Sequence, residues 1–239
     1  SNTALQYSYV SWVRRIFGQK VDAGKAKLDG HLFNAKVTLS DTWSVVPYFY
    51  YLDYDASTNA DLSTATLGGR LAGSINAGKG SIKLVGEAAV QSDAGNNPAS
   101  YDALYWHFDV TWALENGLSL GVGYESLGSD NGESISTPFA TLHKFQGWAD
   151  KFLATPDAGI NDLYLLLTYK WNKWNFTGVY HDFSAETGGG DFGTEFDVSA
   201  AYKITDRYSL LLKSAFFSTD DPVAYDDTSK IWIMLTANY

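Results

Sequence analysis

The residues best placed to do chemistry in this sequence are polar and charged side chains that recur at every second position of otherwise apolar stretches. In Ala103-Leu-Tyr-Trp-His-Phe-Asp-Val-Thr-Trp112, His107 and Asp109 alternate with Leu104, Trp106, Phe108, Val110 and Trp112. Successive side chains of a strand point to opposite faces, so this run puts an acid and an imidazole on one face and a continuous apolar stripe on the other. The same parity sets Lys83 and Glu87 against Ile82, Leu84 and Val90, and Arg70 against Leu67 and Leu71. Extended along the chain it collects a basic set, Arg14, Lys36, Arg70, Lys83, Lys170, Lys203, Lys213 and Lys230, and an acidic set, Asp53, Glu87, Asp109, Glu125, Glu195 and Asp197. A wall carrying both signs is polar and hydrated, and its fixed charges compensate a charged or polyhydroxylated solute for lost hydration. Tyr51, Tyr105, Tyr164 and Trp232 share that parity and offer rings on which a sugar can stack. The competing reading pairs the opposed charges with one another and plugs the passage.

Enzyme chemistry finds less support. The four histidines, His31, His107, His143 and His181, stand near no Gly-x-Ser-x-Gly elbow, and an inward histidine on a strand is more often a hydrogen-bonded wall residue. No catalytic residue and no cofactor is therefore assigned. The acidic runs Asp53-Tyr-Asp55, Ser92-Asp-Ala-Gly-Asn-Asn97 and Ser218-Thr-Asp-Asp-Pro222 offer the oxygen ligands that Ca²⁺ takes, but none has the spacing of a calcium loop. Solvated acidic loops are the preferred reading, with Ca²⁺ as the minor alternative and no metal site assigned. There is no cysteine, and 17 basic against 27 acidic residues give a net charge of −10. That balance disfavours a nucleic-acid partner, because phosphate contacts need basic patches.

Elements that position such a wall follow from alternation bounded by Gly, Asn, Asp and Pro clusters. Twelve strands are expected, over about residues 4–17, 31–40, 45–56, 63–77, 80–92, 101–115, 118–128, 160–171, 174–185, 194–204, 208–219 and 229–239. Their connections alternate between short, such as Asn172-Lys173, and long, such as 129–159. Outer-membrane barrels sort their loops in this way, with tight periplasmic turns and long external loops. Aromatics make up 15% of the chain, a richness that suits interfacial girdles. No apolar run approaches the length of a transmembrane helix, so membrane crossing would have to be by strands. The last stretch, Ile231, Ile233 and Leu235 against Lys230, Trp232 and Met234, has the length and alternation of one tilted spanning strand. No secretory leader is read at the N-terminus, and no domain boundary interrupts 1–239. Within 129–159, Phe139, Leu142, Phe145, Trp148 and Phe152 have spacings of three and four that predict a short helix with one apolar face. Folded into the lumen it would offer His143, Lys144, Trp148, Asp150 and Lys151 as constriction residues; lying over the rim remains open.

The phrase Thr137-Pro-Phe-Ala-Thr-Leu-His-Lys-Phe-Gln-Gly-Trp-Ala-Asp-Lys-Phe152, with Val179-Tyr-His-Asp-Phe183, Gly193-Thr-Glu-Phe-Asp197 and Val13-Arg-Arg-Ile-Phe-Gly18, resembles the alginate-export family of Gram-negative outer-membrane proteins, in particular its C-terminal part. The resemblance implies a monomeric β-barrel transporter, with N-terminal strands of a longer member lacking. The expectation is thus an all-β, antiparallel transmembrane β-barrel of the bacterial outer membrane with about 12 strands in this chain. It would be a passive channel for small anionic or sugar-like solutes or a polysaccharide export conduit of the alginate type, in contact with outer-membrane lipid and lipopolysaccharide. The alternative is a structural or adhesive barrel with a plugged lumen and acidic external loops.

Overall fold

A computed structural model describes residues 2–14, 18, 20, 24–55, 59–139 and 145–238. Its long strands are β1 (Thr3–Arg14), β2 (Lys25–Thr38), β3 (Trp43–Tyr54), β4 (Thr64–Asn76), β5 (Gly80–Asp93), β6 (Asp102–Leu114) and β7 (Leu118–Leu127). A two-stranded hairpin comes next, β8 (Ser129–Asp130) with β9 (Glu133–Ser134). The chain then continues through β10 (Ile160–Trp171), β11 (Trp174–Ser184), β12 (Asp191–Lys203), β13 (Tyr208–Thr219) and β14 (Thr228–Ala237). Apart from the hairpin, neighbours in sequence pair antiparallel in a single 12-stranded sheet, with β7 joined to β10. All twelve expected strands are present. The sheet is not closed, because β1 and β14 stand at its two ends and are not paired.

Local chemistry explains the alternation of loops. Asn172 takes the left-handed conformation (φ 52°) that the two-residue turn between Trp171 and Trp174 demands. One end of the sheet carries this turn with 39–42, 77–79, 115–117 and 204–207, whereas the other carries the longer connections, including 128–159.

The two faces differ in exposure as a membrane sheet requires. Leu104 is 63% exposed, Leu165 56% and Ile233 72%, while the alternate residues Ala103, Gln91, Asp162 and Glu195 are buried. A soluble sandwich would do the reverse, since an apolar face spread over so many strands is stable only against lipid. No helix among the described residues is long and apolar enough to cross a membrane. The buried cluster of Tyr101, Ala103, Leu127, Ile135, Phe152, Phe183 and Phe217 lies where the inner face meets segment 128–159. The described parts of that segment, 128–139 and 145–159, therefore pack on the concave side rather than on the rim.

Two strands depart from simple parity. In β1 the register shifts between Val10, opposite Gly30, and Trp12, opposite Lys27. β2 spends three residues where β1 spends two, and this bulge reverses the relative parity of the positions beyond it. Arg14 consequently pairs with Lys25 on the same face as Trp12, the outer one. In β3 the inward residues are Tyr48, Tyr50, Leu52 and Tyr54, so Tyr51 and Asp53, expected to line the lumen, face outward.

Candidate functional site

The candidate site is the concave face of the sheet together with the loop residues 128–139 and 145–159 packed against it. Consecutive left-handed residues, Gln146 (φ 51°) and Gly147 (φ 80°), turn the amides of the next residues to one side. Trp148 N–H donates to Glu195 Oε1 at 2.5 Å and to Asp197 Oδ2 at 3.1 Å, and Ala149 N–H donates to Glu195 Oε1 at 2.7 Å. Such a concavity of backbone donors is a natural seat for a carboxylate. Both acids are fully buried on β12, and a Cβ at Gly147 would collide with the Glu195 carboxylate. Two further contacts fix the loop to β13 and β14: Lys230 Nζ bonds Asp150 Oδ2 at 2.7 Å, and Lys213 Nζ lies 3.9 Å from the centre of the Trp148 ring. Phe152 closes the attachment among Phe183, Phe192, Phe217 and Tyr225. Burial there, with Asp221 nearby, raises the Tyr225 phenol above its ordinary pKa, so the ring stays neutral. On the other side of the lumen Gln91 grips the loop through both its amide atoms, donating to Ser136 O at 3.0 Å and accepting from Ser136 N at 2.7 Å.

The wall between these anchor points is a ladder of paired polar groups. Arg70 and Glu87 face each other on β4 and β5 and bond at 2.8 Å, and Tyr48 donates to the other Glu87 oxygen at 2.9 Å. Glu125 accepts from Tyr105 at 2.7 Å and from Gln146 of the loop at 2.6 Å. Asp109 accepts from Thr111 and Tyr164, and Tyr164 is also bonded to His107 at 2.9 Å. His181 sits against Asp162 at 2.9 Å. Polar and charged groups thus pair along the wall between neighbouring strands.

The sequence-predicted residues separate into three groups. Glu87, Asp109, Arg70, Lys213 and Lys230 lie on the inner face, and Trp148, Asp150 and Lys151 lie on the loop, with the Lys151 ammonium 5.5 Å from the Phe217 ring centre. Lys36, Lys83, Lys170 and Lys203 keep inward parity but stay exposed near the short-turn mouth. There the Lys203 ammonium holds the Asp206 carboxyl below its usual range at 2.7 Å. Arg14 is on the outer face because of the bulge between β1 and β2, and Tyr51 and Asp53 of β3 also face outward. His143 and Lys144 lie outside the described residues. The expected helix does not form over 145–154, where turns and bends run through Gln146, Gly147 and Asp150, all at positive φ; that conformation is incompatible with a helix of L-residues. Among the described residues no group of three or more His, Asp or Glu is arranged to hold a metal ion.

With this geometry in hand, solved structures give a consistent match over the whole chain. Pseudomonas aeruginosa OccK11 (OpdR) superposes with a TM-score of 0.72 over 99% of this chain and 66% of its own, at 17% identity. The outer-membrane protein OpdK of the same organism gives 0.75 over 99% and 66%, at 14% identity, and the outer-membrane protein OprD gives 0.70 over 99% and 65%, at 12%. The chain has an outer-membrane β-barrel fold. It spans about two thirds of the length of these proteins. No family model matches the sequence, and no curated protein does. The resemblance to the alginate-export family is thereby corrected: solved structures that share this fold include OccK and OprD proteins. Within that phrase, Gly147 to Ala149 act as a latch, because a Cβ at 147 would meet the Glu195 carboxylate that the Trp148 and Ala149 amides bind.

Sequence reasoning missed Tyr48, Tyr50, Gln91 and Gln146. Tyr48-Phe-Tyr-Tyr51 is aromatic on both faces, so alternation carries no signal there. The usable clue is the partner strand, which sets Gly68 opposite Tyr48. The glycine marks the face over which a large ring lies.

Proposed function

We propose that this chain belongs to a passive channel of the bacterial outer membrane for small polar solutes, embedded in lipid and lipopolysaccharide as a monomer and carrying out no chemical reaction. The observation that carries the reading is the division of faces: apolar side chains cover the outside of every spanning strand, while the inside is a ladder of hydrogen-bonded charges. A cavity of about 480 Å³ lies between the described parts of the inner loop and β1–β7, room that a small solute could occupy. The fold shared with OprD and OpdK supports the same reading. Charges are zoned along the path. Lys36, Lys83, Lys170 and Lys203 ring the short-turn mouth, and the buried carboxylates Glu125, Asp162, Glu195 and Asp197 cluster at the level of the loop. Purified protein in planar bilayers tests the proposal: stable current steps are expected. Silence from protein shown to be inserted would overturn it and leave the structural or adhesive barrel.

A further inference from the structure

The cavity between the loop and β1–β7 has an unusual wall. Opposite Tyr48 on β4 stands Gly68, and a Cβ at that position would run into the Tyr48 ring. The ring therefore lies over the glycine, and Tyr50 stacks against it, its ring 4.9 Å away and inclined by only 19°. The stacked pair lines the cavity. The same device recurs across the wall, where Tyr164 covers Gly123. The phenol hydroxyls beside the cavity are already committed, Tyr48 to Glu87, Tyr50 to Asn34 at 2.8 Å and Tyr105 to Glu125. What these rings offer a ligand is their faces.

We propose that this cavity is a subsite for a neutral pyranose ring, a refinement that rests on the lumen being a solute path. An aromatic face takes the C–H side of a sugar, and the cavity's size lies within the roughly 300–1,000 Å³ of small-molecule pockets. The polar rim suits hydroxyls. Each oxygen of Glu87 and of Glu125 already accepts one hydrogen bond, from Tyr48 and Arg70 and from Tyr105 and Gln146. Each retains a lone pair for a sugar hydroxyl. A carboxylate-bearing solute meets like charge at this rim.

Calorimetry on the detergent-solubilised protein tests this with two probes, methyl β-glucoside and glucuronate. The glucoside is expected to bind about tenfold or more tightly than the charged sugar. Tyr48→Phe, which keeps the ring and loses the hydroxyl, should retain the glucoside; Tyr48→Ala and Tyr50→Ala should each weaken it about tenfold. Phe49→Ala, on the outer face of the same strand, should leave it unchanged. Strand circular dichroism checks that each variant folds. No heat with the glucoside, equal or tighter binding of glucuronate, or indifference to both alanine substitutions overturns the subsite. Because the titration needs no current, a protein that binds the glucoside yet stays silent in bilayers refutes transport and not the subsite, and a conducting protein that ignores the glucoside refutes the subsite alone.

Discussion

Gly147 is the position on which the placement of the inner loop turns. Its φ of 80° and the carboxylate pressed against it leave no room for a side chain. Gly147→Ala should release the latch, with a cost of order 1–3 kcal/mol for stranding the buried Glu195 acceptor. Limited proteolysis then cuts within 128–159 and channel conductance rises; an uncut, unchanged variant would show that the loop is held elsewhere. Phe152→Ala should loosen the same loop by about 3 kcal/mol through its lost aromatic packing, read by the same cleavage assay. Charge reversal separates wall from bystander. Arg70→Glu with Lys83→Glu should move selectivity toward cations, measured as the reversal potential in a salt gradient, whereas Arg14→Glu should leave it unchanged because that side chain faces outward. An equal shift from Arg14→Glu would contradict the bulge.

At the scale of single strands, the alternation that makes the wall also dictates where charge is tolerated. Leu165→Arg, on the lipid face near the middle of β10, should cost about 2–4 kcal/mol in urea unfolding from lipid vesicles, while Thr168→Arg on the lumen face should cost far less. Strands such as β5, β6, β10 and β14 were legible in the sequence because one parity is apolar and the other is not. β3 was not, since Tyr48 through Tyr51 are aromatic on both sides and only the register with Gly68 picks the inner face. The β1 bulge is equally silent, for it is a relation between β1 and β2 that neither strand encodes alone. The expected helix in the loop failed for a different reason. Spacings of three and four appear there because Trp148 and Phe152 reach separate anchors, Lys213 and the aromatic cluster, from a chain whose residues 146, 147 and 150 are left-handed. Charged wall residues were recovered better than their partners, because a lysine or glutamate stands out in an apolar run and a tyrosine or glutamine does not.

For the molecule as a whole, the open sheet sets a condition. Unpaired backbone groups in lipid cost several kcal/mol each, so the free edges of β1 and β14 must be covered once the sheet is in a membrane. β1 and β14 are not paired, so cysteines replacing Tyr7 and Ile233 should not form a disulfide in the inserted protein; a bridge would show the sheet closing on itself. The central claim is that lipid surrounds the apolar face and water fills the other. The chain has no native cysteine, so single cysteines at residues 163 to 168 of β10 test it directly in membrane-inserted protein. A period of two is predicted, with a water-soluble maleimide labelling positions 164, 166 and 168 and sparing 163, 165 and 167. Equal labelling at all six, or labelling of the odd set alone, would contradict it.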